Sequence, residues 1–180
     1  SRFEGLWVDS TGGVVACGYL SPTIDITNLL SYFAKFDKDG NLIWGKRYQQ
    51  GWLKFVRPMP DGQWILGGNL DGINSGAWLL KTITSGEIIW SKRVNYAFGT
   101  VVGLNGLLTD SNYLIQPAFN NSLLGLDHRG QSICNFDTSG QFLQGYLQKQ
   151  DSSKVYVFSM RYDSQKNILM ALTQKGNPNN

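Results

Sequence analysis

The sequence predicts an all-β chain, a β-propeller of four antiparallel blades of about 45 residues each, with the fourth blade incomplete. Three observations predict it. First, one phrase recurs: FAKFDKDGNLIW (Phe33 to Trp44), LLKTITSGEIIW (Leu79 to Trp90), LLGLDHRGQSIC (Leu123 to Cys134) and LMALTQKGNPNN (Leu169 to Asn180). Its glycines, Gly40, Gly86, Gly130 and Gly176, stand 46, 44 and 46 residues apart. Second, a turn followed by a short apolar run precedes each phrase: STGGVVACG from Ser10, PDGQWILGG from Pro60, TDSNYLIQP from Thr109 and DSSKVYVFS from Asp151. Third, no apolar stripe of helical period exceeds a few residues, whereas the runs between turns are β-branched and aromatic, as strands prefer.

Each repeat therefore holds two turn-linked strand pairs, and the blades fall at about 3–50, 51–96, 97–139 and 140–180 of a single domain over 1–180. In the first blade, Asp39-Gly40 suits a tight hairpin because glycine reaches positive φ without a Cβ penalty. Its segment from Thr23 to Phe36 opens as a short helix or a long loop. In the second, Ser85-Gly86 repeats the turn. Trp44 and Trp90 put one large ring at the same point of the fourth strand, where it would pack against the neighbouring blade; the third blade has Cys134 there and a weaker contact. Lys46-Arg47 and Lys92-Arg93 fall on the outermost strands, where charge discourages edge-to-edge pairing. In the fourth blade Pro178 stands where Leu42 and Ile88 stand earlier, and proline gives no ladder bond, so the outer strand is missing. The chain is then either a small four-bladed propeller or an arc of a larger one.

These residues resemble the PQQ-like, quinoprotein-type β-propeller repeat superfamily, whose blade motif runs roughly Ala-x-Asp-x-x-Thr-Gly-x-x-x-Trp. Ala34, Asp37, Gly40 and Trp44 match it with one extra residue, Thr84 to Glu87 with Trp90 match its second half, and Asp127 with Gly130 keep a trace. The resemblance implies antiparallel four-stranded blades around an axis. It implies no bound quinone, since neither an adjacent cysteine pair nor an acidic metal-site cluster is present, and members without cofactor commonly serve as assembly or interaction scaffolds.

Composition bounds function. Of 180 residues 42% are hydrophobic and 16% charged, which argues for a packed core rather than disorder. The net charge of +3 comes without a basic block, so nucleic acid is not an expected partner. No apolar run approaches the roughly 20 residues of a membrane span. The chain starts at Ser1 without a signal peptide, which reads as a processed form or an excised piece. Cys17 and Cys134 have no metal spacing and read as two separate buried thiols.

The catalytic residue types are sparse. The one histidine, His128, sits beside Arg129 in an expected turn, so Ser-His-Asp and Cys-His arrangements lack support. Asp37 and Asp39 read as turn formers, and Gly40 comes too early for an EF-hand loop. The oxygen-bearing loop from Asn69 to Asn74 reads as a polar loop, and Asn120-Asn121-Ser122 is a glycosylation sequon. No catalytic residue, metal or cofactor is assigned, and the chain is expected not to be an enzyme.

Topology gives the binding expectation. In an antiparallel meander the glycine turns share one face, while the loops between second and third strands and the links between blades share the other. The second face has variable connections, and recognition favours variable loops on a fixed scaffold. It would carry Tyr19, Asp25, Asn28, Asn69, Asp71, Asn74, Asn120 and Asn121, with Trp52, Tyr96 and Phe98 from the links. Aromatic and amide groups together suit glycan or protein contacts. The leading expectation is a non-catalytic interaction module that binds protein or glycan within a larger secreted, surface or viral structure, extracellular or at a cell or virion surface. The alternatives are a structural self-assembly subunit and a carbohydrate-active enzyme using carboxylates in the central channel.

Overall fold

Among the described residues, five short turns close in the same way. The computed structural model describes residues 2–20, 30–48, 51–70, 77–94, 100–108, 112–120, 131–148, 155–162, 164–165 and 168–174. Around Gly12, Gly40, Gly62, Gly86 and Gly140 the glycine N–H donates to the carbonyl three residues back, and the turn's first N–H donates to the carbonyl of its fifth residue, as in Asp37 N to Asn41 O at 2.9 Å. The glycines have φ between 75 and 87°, the left-handed region. This is a type I turn with a glycine bulge, the three-residue hairpin.

Three of the turns begin with aspartate, and its Oδ1 accepts the N–H groups two and four residues on: Asp9 from Thr11 and Gly13, Asp37 from Asp39 and Asn41, Asp137 from Ser139 and Gln141. The Thr11 hydroxyl, the Thr11 and Gly13 amides and Lys35 hold the Asp9 carboxyl at about 2, against burial that pushes it up. The Asn41 side chain and amide likewise lower Asp37. A carboxyl held below the ordinary 3.8 adds stability that is complete above that value and lost as pH falls through the folded value. Acid unfolding followed by fluorescence is therefore expected to steepen as pH drops from about 4 to about 2, and Asp9→Asn should flatten that slope. An unchanged slope contradicts the turn's role.

The chain divides into two compact units, Ser1–Asn95 and Tyr96–Asn180, each described in its own right. The first unit holds two four-stranded antiparallel sheets. One runs β1(Arg2–Val8), β2(Val14–Leu20), β3(Leu30–Phe36), β4(Leu42–Tyr48), and the other β5(Trp52–Pro58), β6(Trp64–Asn69), β7(Ala77–Thr82), β8(Ile88–Val94). The second unit holds the sheet β9(Thr100–Leu108), β10(Asn112–Asn120), β11(Gln131–Asp137), β12(Phe142–Gln148), and the hairpin β13(Val155–Tyr162), β14(Ile168–Gln174). Every sheet follows chain order, the up-and-down meander of a propeller blade. The chain is all-β, and the described residues include no helix.

The register corrects two expectations. The third sheet's last hairpin turns at Asp137–Gln141 around Gly140, and its strands run on to Gln148, past the expected limit at 139. Gly130 lies outside the described residues, just ahead of β11. Cys134 is on the third strand, not the fourth, opposite Gly145. The position of Trp44 and Trp90, opposite Lys35 and Lys81, is filled by Gln144, opposite Asn135. In the fourth sheet, Leu169 to Gln174 is the second strand of a hairpin rather than the third strand of a blade, and Gly176 lies outside the described residues. Pro117, in a central strand, is accommodated where the β10–β11 pairing skips from Ile115 to Ala118.

The two sheets of the first unit share one core. Val15, Cys17, Phe33 and Tyr48 of the first sheet meet Leu53, Val56, Trp64, Leu66, Trp78 and Leu80 of the second, all buried, with Trp44 partly buried against them. Cys17 is a free, buried thiol whose burial raises its pKa. The fourth strand grips the neighbouring turn. A Cβ on Gly86 would stand 2.8 Å from Lys46 Cγ and 3.1 Å from Trp44 Cζ3, Lys46 Nζ lies 3.0 Å from Glu87 Oε1, and the Tyr48 hydroxyl donates to the Gly86 carbonyl at 2.6 Å. Glu87 is held ionised first by the Ser85 hydroxyl and then by Lys46, which lower its pKa. Burial raises the Tyr48 phenol, so it stays a neutral donor. The recurring Gly and Trp-x-Lys are thus two halves of one contact, and the lysine makes a cross-sheet ion pair besides guarding an edge. Tyr48→Phe leaves a buried carbonyl without its donor and is expected to cost about 1–2 kcal/mol in urea unfolding; a change within error contradicts the contact.

Candidate functional site

Three of the residues expected on the loop face converge at one rim of the first unit. Tyr19 is the next-to-last residue of β2, Trp52 opens β5 and Asn69 closes β6. The Tyr19 and Trp52 rings stack with centroids 5.3 Å apart and planes 21° from parallel, and Asn69 is the register partner of Trp52.

Glycines make this approach possible. A Cβ on Gly18 would run into the Arg2 carbonyl, and one on Gly68 into the Trp52 carbonyl. Each faces a β-bulge in the inner strand, between Phe3 and Gly5 and between Leu53 and Phe55, which re-aims the strand start. Gly51, at φ 94°, leads into β5 and accepts the Ser31 hydroxyl on its carbonyl at 2.7 Å.

The rim also carries charge that spacing alone did not disclose. Lys54 Nζ lies 4.6 Å from the Trp52 ring centroid and 3.7 Å from Glu4 Oε2, and Glu4 Oε1 lies 3.1 Å from Arg2 Nε. The Lys54 and Glu4 side chains are largely shielded, at 16% and 17% exposure, while Arg2 is at 68%. A cation over an indole face strengthens as water is excluded. The rim thus offers stacked rings beside a shielded ion pair and one exposed guanidinium. The Trp52 indole N–H is buried without an acceptor among the described residues.

Of the other expected residues, Asn120 ends β10 opposite Thr100 in the second unit. Asp25, Asn28, Asp71, Asn74, Tyr96, Phe98 and Asn121 lie outside the described residues, as does His128. Arg2, Glu4 and Lys54 are new to the site. Lys54 sits in the bulge between Leu53 and Phe55, and Glu4 in the bulge between Phe3 and Gly5, so plain alternation gives neither; the packing of β1 on β5 brings them together. Among the described residues no three His, Cys, Asp or Glu side chains are grouped to hold a metal ion, and no helix is long and apolar enough to cross a membrane.

No protein-family model matches the sequence, and no curated protein matches it. Among solved structures, the cobalt-substituted ACO of Synechocystis, a carotenoid oxygenase, superposes with a TM-score of 0.51 at 13% identity, over 82% of this chain and 37% of its own. An ACO/RPE65 chimera superposes with a TM-score of 0.45 at 15% identity, over 77% and 34%. The chain spans about a third of the length of these solved chains. At such identity the likeness shows the fold alone, that of a β-propeller. It also corrects the expectation that the chain is not an enzyme. That expectation rested on the sparse catalytic residues of a propeller, and this fold carries a carotenoid oxygenase, an enzyme.

Proposed function

We propose that the chain is an interaction module that binds a glycan or protein ligand at the rim built by Tyr19, Trp52 and Lys54, as part of a larger secreted, surface or viral structure. The stacked Tyr19–Trp52 pair carries this reading. Two aligned rings at a strand end, held by glycine-dependent backbone contacts, form a rigid apolar platform that loses little entropy on binding. Lys54 and the exposed Arg2 add donors for hydroxyl or carboxylate oxygens at its border.

A glycan array and a pull-down from a surface-protein mixture identify the ligand class. Tyr19→Ala is then expected to weaken the ligand about 30-fold, the effect of losing a 2 kcal/mol anchor, with the melting temperature held within a few degrees. Binding that survives both Tyr19→Ala and Trp52→Ala contradicts the proposed rim.

A further inference from the structure

The rim holds more positive charge than it uses. Arg2 and Lys54 share one carboxylate, that of Glu4, which lies 3.1 Å from Arg2 Nε and 3.7 Å from Lys54 Nζ. The Lys54 ammonium also stands 4.6 Å from the Trp52 ring centroid, and its side chain is shielded, so its charge is taken up inside the wall. Arg2 differs. Glu4 engages its Nε, and the side chain is largely exposed. Its two terminal nitrogens have no ionic partner among the described residues. They form a planar fork of the kind that grips a carboxylate with two parallel hydrogen bonds.

Register sets where that fork stands. Arg2 is the partner of Tyr19 across β1 and β2, so the two share one face of the sheet with Cβ atoms about 5 Å apart. The bulge between Phe3 and Gly5 follows at once. Its extra residue is Glu4, which reaches back to Arg2 and across to Lys54. Gly18 lets the strands close, since a Cβ there would run into the Arg2 carbonyl and stand 2.8 Å from Phe3 Cα. The Arg2 backbone is thereby held beside the stacked Tyr19–Trp52 pair.

We propose that the ligand of this rim is an acidic glycan and that Arg2 reads its carboxylate. The inference rests on the reading of the rim as a binding site. A sugar acid carries its carboxylate directly on the ring, so it offers an apolar C–H face with an anion at the edge of that face. The half-buried Tyr19 ring suits the face, and Arg2, one register pair away, suits the anion. A neutral glycan lying over Arg2 would strip water from the guanidinium and return no charge, which costs affinity. An acidic protein side chain would meet the fork but brings no flat ring face for Tyr19.

The test titrates the chain by calorimetry with sialyllactose and a galacturonate tetramer, and with their neutral counterparts, lactose and the carboxyl-reduced tetramer. At least one acidic probe is expected to bind more tightly than its counterpart by about 10-fold or more, and to lose most of that margin in high salt. Arg2→Gln is expected to bring the ratio within the pair close to one, with the melting temperature unchanged. Equal affinity within both pairs overturns the proposal, and so does an acid preference that survives Arg2→Gln; in either case binding that is lost in Tyr19→Ala still upholds the rim itself. A chain that ignores every probe yet captures a protein in a Tyr19-dependent way also overturns it, because the occupant is then a protein. Acidic-probe binding that survives both Tyr19→Ala and Trp52→Ala, or no binding at all, removes the rim as the site and this inference with it.

Discussion

Phe33→Ala is expected to cost about 3–5 kcal/mol, the range for deleting a buried phenylalanine. The side chain is 0% exposed. Its ring meets the Trp44 ring edge-on at 4.9 Å and the Trp64 ring at 6.3 Å, so it joins the outer strand of one sheet to the inner hairpin of the next. Removal leaves a cavity between two rigid sheets that cannot close around it. Since a domain is stable by only about 5–15 kcal/mol, the variant should be largely unfolded in mild urea. The outer-strand control, Ile43→Ala at an exposed position, should stay within about 0.5 kcal/mol of the parent. Urea titration by tryptophan fluorescence measures both, and a Phe33→Ala cost below about 1 kcal/mol contradicts a shared core.

Gly68→Ala is the second large effect, and it reaches the candidate site. The added methyl would meet the Trp52 carbonyl carbon at 2.6 Å and the Leu53 Cα at 2.9 Å, besides the carbonyl oxygen itself. All three are backbone atoms, so no side chain can rotate away, and the start of β5 must move. A cost of about 3 kcal/mol or more is expected, the upper end for overpacking, together with loss of the Tyr19–Trp52 stack. Gly62→Ala separates crowding from backbone strain: Gly62 has φ 78° with nothing within 4 Å, so only its left-handed backbone resists, at about 1 kcal/mol. If Gly62→Ala is the more damaging of the two, the close approach at Gly68 is wrong.

The hairpins were legible in the sequence because their chemistry is local. An Asp or Ser ahead of glycine between alternating apolar runs specifies the same three-residue turn at Gly40 and Gly86. The third copy is masked in the sequence for two physical reasons. Longer strands β9 and β10, of nine residues each, together with longer connections before β9 and between β10 and β11, stretch the glycine interval from 46 residues between Gly40 and Gly86 to 54 between Gly86 and Gly140. Gln144 also takes the place of the tryptophan, so the anchoring ring is missing. A decoy at Asp127-His128-Arg129-Gly130 kept the expected spacing. Alternation of loops and links pointed to Tyr19, Trp52 and Asn69; the structure stacks the first two and pairs Trp52 with Asn69 in register. Alternation could not disclose Glu4 and Lys54, whose meeting depends on two bulges and on the packing of β1 against β5. Likewise the equivalence of Trp44 and Trp90 was visible, but the partner of Trp44, a turn 42 residues further on, exists only once the sheets stack.

That stacking is the central claim, and nuclear Overhauser effects between the aromatic side chains of β4 and the next sheet test it most directly. The Trp44 ring protons and the Tyr48 ring protons should each show contacts to the Gly86 Hα protons, and Phe33 should show contacts to Trp64. Spectra in which Trp44 and Tyr48 contact only their own sheet, with none to residues 83–87, contradict it.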